Sequence, residues 1–105
     1  MEVHWTDLAE RDLGGISEYL FARSRSGTRG TIAGILAATA GLADHPEMGA
    51  QALDVDPEGQ VRNIFWRRYR IFYRVRGDDV LVLRIWDSRR DLSGLVLERT
   101  ASDDP

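Results

Sequence analysis

A chain of 105 residues with 43% hydrophobic and 30% charged residues has room for one small domain, and carries too much apolar material to stay unfolded. At this size surface-to-volume scaling excludes a large internal substrate cavity, so function belongs on a surface or in a shallow groove. Cysteine is absent and only His4 and His45 could offer imidazole, which removes disulfides and thiol chemistry and leads us to expect no metal and no cofactor.

The net charge of −3 hides an asymmetry along the chain. Residues 1–59 sum to −6, residues 60–90 to +6 and residues 91–105 to −3, and every positive side chain is an arginine. Genomic base bias can produce an all-arginine composition, but not the clustering of nine arginines in residues 60–90. Planar guanidinium groups gathered there predict a basic face seeking phosphates or an acidic protein segment. No run reaches the roughly 18–20 apolar residues that cross a bilayer, and the first residues lack the basic and apolar regions of a signal peptide. The expectation is a cytoplasmic protein with no membrane partner.

Glu2 to Trp5, with Val3 and Trp5 alternating against polar neighbours, predicts a first strand. Thr6 offers an N-cap. From Asp7 to about Arg23, residues Ala9, Leu13, Ile16 and Leu20 share one helical face, and Gly14 and Gly15 inside that helix suggest a closely packed neighbour. Ser24 to Gly27 reads as the break before a second helix, from about Thr28 to Ala43. Its small residues Gly30, Gly34, Ala37, Ala38 and Gly41 would admit the first helix closely. Asp44-His45-Pro46 stops it. Residues 46–60 form a loop, with a short extended piece at Ala52 to Val55, and loops of this length are often functional.

Three strands follow: Val61 to Trp66, Tyr69 to Val75 and Val80 to Trp86, the last two joined at Arg76 to Asp79. A loop of Gly77 and Asp78 alone would put Arg84 on the face of Tyr69, Ile71, Tyr73 and Val75. One more loop residue with a glycine bulge puts Leu81, Leu83 and Ile85 there instead, and hydrophobic matching favours that register. The opposite face would then show Arg68, Arg70, Phe72, Arg74 and Arg84. The order β-α-α-β-β-β makes a two-layer α+β fold, a helical hairpin on a small, mainly antiparallel sheet. Residues 1–98 would form the domain and residues 99–105 a disordered end.

Four segments carry a resemblance. Trp5-Thr6-Asp7-Leu8-Ala9-Glu10-Arg11-Asp12-Leu13 resembles the opening W-x-x-x-A-x-x-D-L of the RelE/ParE toxins of type II toxin–antitoxin systems. Leu42-Ala43-Asp44-His45-Pro46 with Gly49 resembles the family's L-A-x-x-P-x-x-G. Tyr69 to Val75 is similar to its Y-R-I-x-Y-x-V strand, and Val82 to Asp91 to its last strand and R-R-D end. Together they span residues 3 to 91 in the family's order.

The resemblance implies two activities on one fold: messenger RNA cleavage in the ribosome for the RelE branch, inhibition of DNA gyrase for the ParE branch. Cleavage through the ribose 2′-hydroxyl needs a proton acceptor, a proton donor and cations for the phosphate. By position Arg70 and Arg89 match the phosphate-facing arginines of the RelE pattern. Its terminal tyrosine or histidine is missing, with Leu95 in that region and no Tyr, His or Lys after residue 73, and its lysines are replaced by Asp54, Asp56 and Glu58. Asp87 would be the base of a nuclease built on Arg70 and Arg89, although pairing with Arg68 or Arg89 is its simpler role. The reading adopted is a ParE-like toxin that binds rather than cleaves; the alternatives are a RelE-like ribosome-dependent nuclease and a non-toxic interaction module. The residues expected to face a target or antitoxin are Arg68, Arg70, Arg74, Arg84, Trp86, Arg89 and Arg90. The resemblance also implies a small acidic antitoxin with a DNA-binding N-terminal part, whose flexible tail folds on the toxin and which alone touches operator DNA.

Overall fold

A computed structural model describes residues 1–98; the expected disordered end at 99–105 lies outside the described residues. The elements are β1 (Glu2–Trp5), α1 (Asp7–Phe21), α2 (Arg25–Ala40) with a 3₁₀ turn at Gly41–Ala43, β2 (Ala50–Gln51), β3 (Val61–Trp66), β4 (Tyr69–Arg76) and β5 (Asp79–Asp87). They form one five-stranded sheet in the order β1-β5-β4-β3-β2. β1 runs parallel to β5, and every other pair is antiparallel. The fold is α+β, as expected. Among the described residues no helix is long and apolar enough to cross a membrane.

Both helices start where a side chain can take an orphan amide. The Thr6 hydroxyl accepts from Ala9 N (3.1 Å) and donates to Leu83 O (2.9 Å), so one residue caps α1 and ties it to β5. Ser24 caps α2, accepting from Gly27 N at 3.1 Å. The segment expected to break the chain is therefore the cap, and α2 begins three residues earlier than its apolar stripe predicts. The small residues of α2 also serve another neighbour. A Cβ at Gly34 would overlap the Trp66 indole of β3, whereas Gly14 and Gly15 on α1 face open space. It is thus a tryptophan of the sheet, not a second helix, that requires glycine.

The β4–β5 register corrects the expected one. The loop is Gly77-Asp78 alone, with Gly77 at φ +60°, and Val75, Arg74 and Tyr73 face Val80, Leu81 and Val82. The irregularity lies inside the strand: Phe72 faces Arg84, leaving Leu83 as the extra residue of a bulge. The bulge lets both halves of β5 match. Ile71, Tyr73, Val82 and Ile85 all reach the helical side, packing with Ala9, Ile35 or Leu42, while Leu83 joins Phe72 and Trp86 in a second cluster with Ala52 and Val61.

That second cluster overturns the expected open face. Val55 from the long loop and Leu95 and Leu97 from the C-terminal segment pack onto it, and Phe72 has no exposed surface. The sheet is therefore covered by helices on one side and partly roofed by irregular chain on the other. The short extended piece of the loop falls at Ala50–Gln51 rather than Ala52 to Val55.

Candidate functional site

Six arginines of the basic block fall into two groups by what holds them. Arg84 donates to both oxygens of Asp12 on α1 (2.8 and 2.9 Å), and the same carboxylate accepts from Ile85 N at 3.0 Å. Asp12 thus satisfies an amide on the edge of β5 that β1 is too short to reach. Arg70 donates to both oxygens of Asp54 (2.8 and 2.7 Å) and to Asn63 Oδ1 (2.8 Å), with its guanidinium 4.6 Å from the centre of the Phe72 ring. Its hydrogen bonds hold the Asp54 carboxyl below the usual carboxylate range against the opposing effect of burial. Arg74 pairs with Glu98 at 2.9 Å. The side chains of Arg84, Arg70 and Arg74 are only 11%, 14% and 24% exposed.

The second group lies at the end of β5. Asp87 accepts from Arg89 N (3.0 Å), Nε (3.2 Å) and Nη2 (2.9 Å). Arg68 Nε stands 3.5 Å from the same carboxylate, an ion-pair contact rather than a hydrogen bond. Arg89 therefore holds Asp87 below the ordinary carboxylate range, chiefly through its side-chain hydrogen bonds, and Asp87 in turn makes the Arg89 guanidinium harder to deprotonate. Arg90 lays its guanidinium 4.0 Å from the centre of the Trp86 ring, while Arg84 reaches the same ring at 5.1 Å. Trp86 is only 2% exposed, so what it offers a partner is the position of Arg90.

These residues border a groove of about 650 Å³ between α1 and the ends of β4 and β5. Ile16, Ile85 and Tyr69 give it an apolar floor, and Arg11, Tyr19, Arg89 and Arg90 a polar rim. Arg89, Arg90 and Asp87 of this groove are expected from the sequence; Arg11, Tyr19 and Tyr69 are not. Arg11, Gly15 and Tyr19 recur every four residues along α1, which was the available signal for a second helical face. Of the remaining expected residues, Arg68 belongs to this groove through Asp87, and Arg84 borders it through Asp12 of α1, which lines the groove, whereas Arg70 and Arg74 pair with Asp54 and Glu98 away from it.

The four motif segments divide along the same line. Ala9, Leu42, Tyr69, Ile71 and Tyr73 are buried. The Tyr73 hydroxyl, its ionisation pushed up by burial, accepts from Gly49 N at 2.9 Å, where any side chain at 49 would collide with it. Arg89, Arg90 and Asp91 are the exposed end of the pattern. The profile of the family described as "ParE toxin of type II toxin-antitoxin system, parDE" matches residues 3–92. The chain belongs to the ParE toxin family. Its fold is similar to a chain of the chromosomal ParDE system from P. aeruginosa, with a TM-score of 0.68 and 24% identity over 81% of this chain and 92% of that one. Comparison with curated proteins gives no match. In this ParE family member the buried pairs and core tyrosines shape the domain, and the groove beside Arg89 and Arg90 lies at the exposed end of the family pattern.

Proposed function

We propose that this chain is the toxin of a type II toxin–antitoxin pair, that it inhibits DNA gyrase by binding, and that a cognate acidic antitoxin neutralises it. The observation that carries the reading is the family match over residues 3–92. The groove supports binding over cleavage. A general base works best with a pKa near the operating pH, and Asp87, the carboxylate nearest the exposed arginines, is driven the other way by Arg89. It holds Arg89 and Arg68 in place instead. An apolar floor with a cationic rim suits a segment that pairs aliphatic or aromatic side chains with carboxylates, which is the composition of a flexible acidic antitoxin tail. Arg70, Arg74 and Arg84 would join such an interface only by exchanging their present carboxylates for the partner's.

The test is a pair of assays on the purified chain: gyrase supercoiling, and messenger RNA integrity in a translating ribosome extract. Supercoiling is expected to fall and the messenger to stay intact. Arg89→Ala with Arg90→Ala is expected to abolish growth inhibition while the chain keeps its unfolding midpoint and still binds antitoxin through the apolar floor, more weakly for the two lost rim contacts. Ribosome-dependent cleavage would establish the nuclease reading instead.

A further inference from the structure

The other end of β5 carries a different chemistry. Asp79 opens that strand and stands opposite Glu2 of β1 in the parallel register. Strand alternation puts Glu2 and His4 on the same face of β1, because Val3 between them points into the core with Val80. Three potential ligands from two strands therefore converge. His4 Nε2 lies 3.4 Å from Glu2 Oε2 and 3.7 Å from Asp79 Oδ1, and the donor atoms of all three residues fall within 4.8 Å of one another.

We infer that Glu2, His4 and Asp79 form a surface site for a divalent transition-metal ion of the zinc type, bridging β1 to β5. Tetrahedral coordination with zinc–ligand bonds of about 2.0–2.1 Å separates donor atoms by about 3.3 Å, so the observed spacings need only small side-chain rotations. The nitrogen-plus-oxygen donor set suits zinc better than magnesium or calcium, which prefer oxygen. Charge points the same way. Among the described residues the only ion-pair partner of Glu2 and Asp79 is His4, so no arginine competes with a metal ion for these carboxylates. With His4 neutral the cluster holds two negative charges and an imidazole lone pair, and three protein ligands leave a fourth position for water. The two histidines looked too few for a metal site in the sequence; the sheet register supplies the carboxylates that complete the set.

The ion would fasten the short edge strand β1 to the one strand it pairs with. From Asp79 to the groove at Asp87 is eight strand steps, about 27 Å, so this site and the proposed toxin surface can be tested apart. The experiment is titration of the chelator-treated full chain with zinc chloride by calorimetry, alongside thermal unfolding with and without zinc. One zinc per chain and a raised unfolding midpoint are expected. His4→Ala and Asp79→Asn should each weaken binding about tenfold or more and cancel the thermal shift, since even changes outside the ligand set cost about 10–100-fold at metal sites. His45→Ala should leave both readouts unchanged, and magnesium should not compete. Absence of zinc binding by the parent, binding that survives His4→Ala, or loss that follows His45 would overturn the inference.

Discussion

Two sets of arginines on one small sheet have opposite fates. Arg70, Arg74 and Arg84 are mostly covered, and their carboxylates come from the acidic parts of the chain, Asp12 and Asp54 before the basic block and Glu98 after it. Arg89 and Arg90 stand on the exposed turn after β5, Arg89 hydrogen-bonded to Asp87 with Tyr19 of α1 beside it and Arg90 stacked on Trp86, and no carboxylate from another element pairs with them among the described residues. Half of the +6 excess is thus matched by carboxylates from outside the block, and an excess of arginine in a sequence overstates the basic surface when the acids are elsewhere in the same chain. What distinguishes the sets is whether another element carries a carboxylate over them.

The sharpest way to break that comparison is at Asp12. Removing one partner of a largely buried pair leaves the other charge uncompensated, and here it also orphans Ile85 N. Asp12→Ala is expected to destabilise the domain by about 3 kcal/mol, read by urea unfolding. A loss below about 1 kcal/mol would put Arg84 with the partner-facing set.

The sequence shows the participants in these pairs but not the pairing. Strand alternation delimits β1 and β3 to the residue, and the capping preference of Thr6 places the start of α1, because these signals are local. Asp12 and Arg84 are 72 positions apart, and nothing near either one specifies the other. The bulge at Leu83 was hidden for a related reason. Two registers of the hairpin each satisfy part of the apolar pattern, and the strand adopts both in succession instead of choosing at the turn. Gly34 is equally ambiguous, since a small residue on a helix shows that something approaches closely without saying whether it is a helix or an indole. At the candidate site Arg89 and Arg90 were legible from the motif, while Tyr19 and Arg11 required knowing that α1 flanks the end of β5.

Acid sharpens the comparison at a smaller scale. The folded-state pKa values of Asp54 and Asp87 both lie below the ordinary carboxylate value, so the folded chain favours their charged forms. The stabilisation they supply is complete above the unfolded value of about 3.9 and is lost as pH falls through the lower folded value. Unfolding midpoints should therefore drop below about pH 4 in the parent and drop less in Asp54→Asn. At neutral pH that variant should cost no more than about 1 kcal/mol, because half of the Asp54 side chain is open to solvent. Equal acid sensitivity in both proteins would show that Asp54 does not anchor Arg70.

The smallest expected effect tests whether exposure alone assigns an arginine to the partner-facing set. Arg67 is exposed, yet it sits in the two-residue turn between β3 and β4 at φ +52°, a backbone region that favours glycine, and donates to Thr31 Oγ1 on α2 at 3.1 Å. Strain and tether oppose each other. Arg67→Gly removes both, so relief of about 1 kcal/mol from the left-handed backbone should nearly cancel the loss of about 1 kcal/mol from the hydrogen bond. Arg67→Ala keeps the strain and loses the bond, and should unfold about 1 kcal/mol more easily than the parent. Urea unfolding of the two variants separates these contributions. If alanine is as stable as the parent, the tether to α2 contributes nothing, and Arg67 belongs with Arg89 and Arg90 as a side chain the fold does not use.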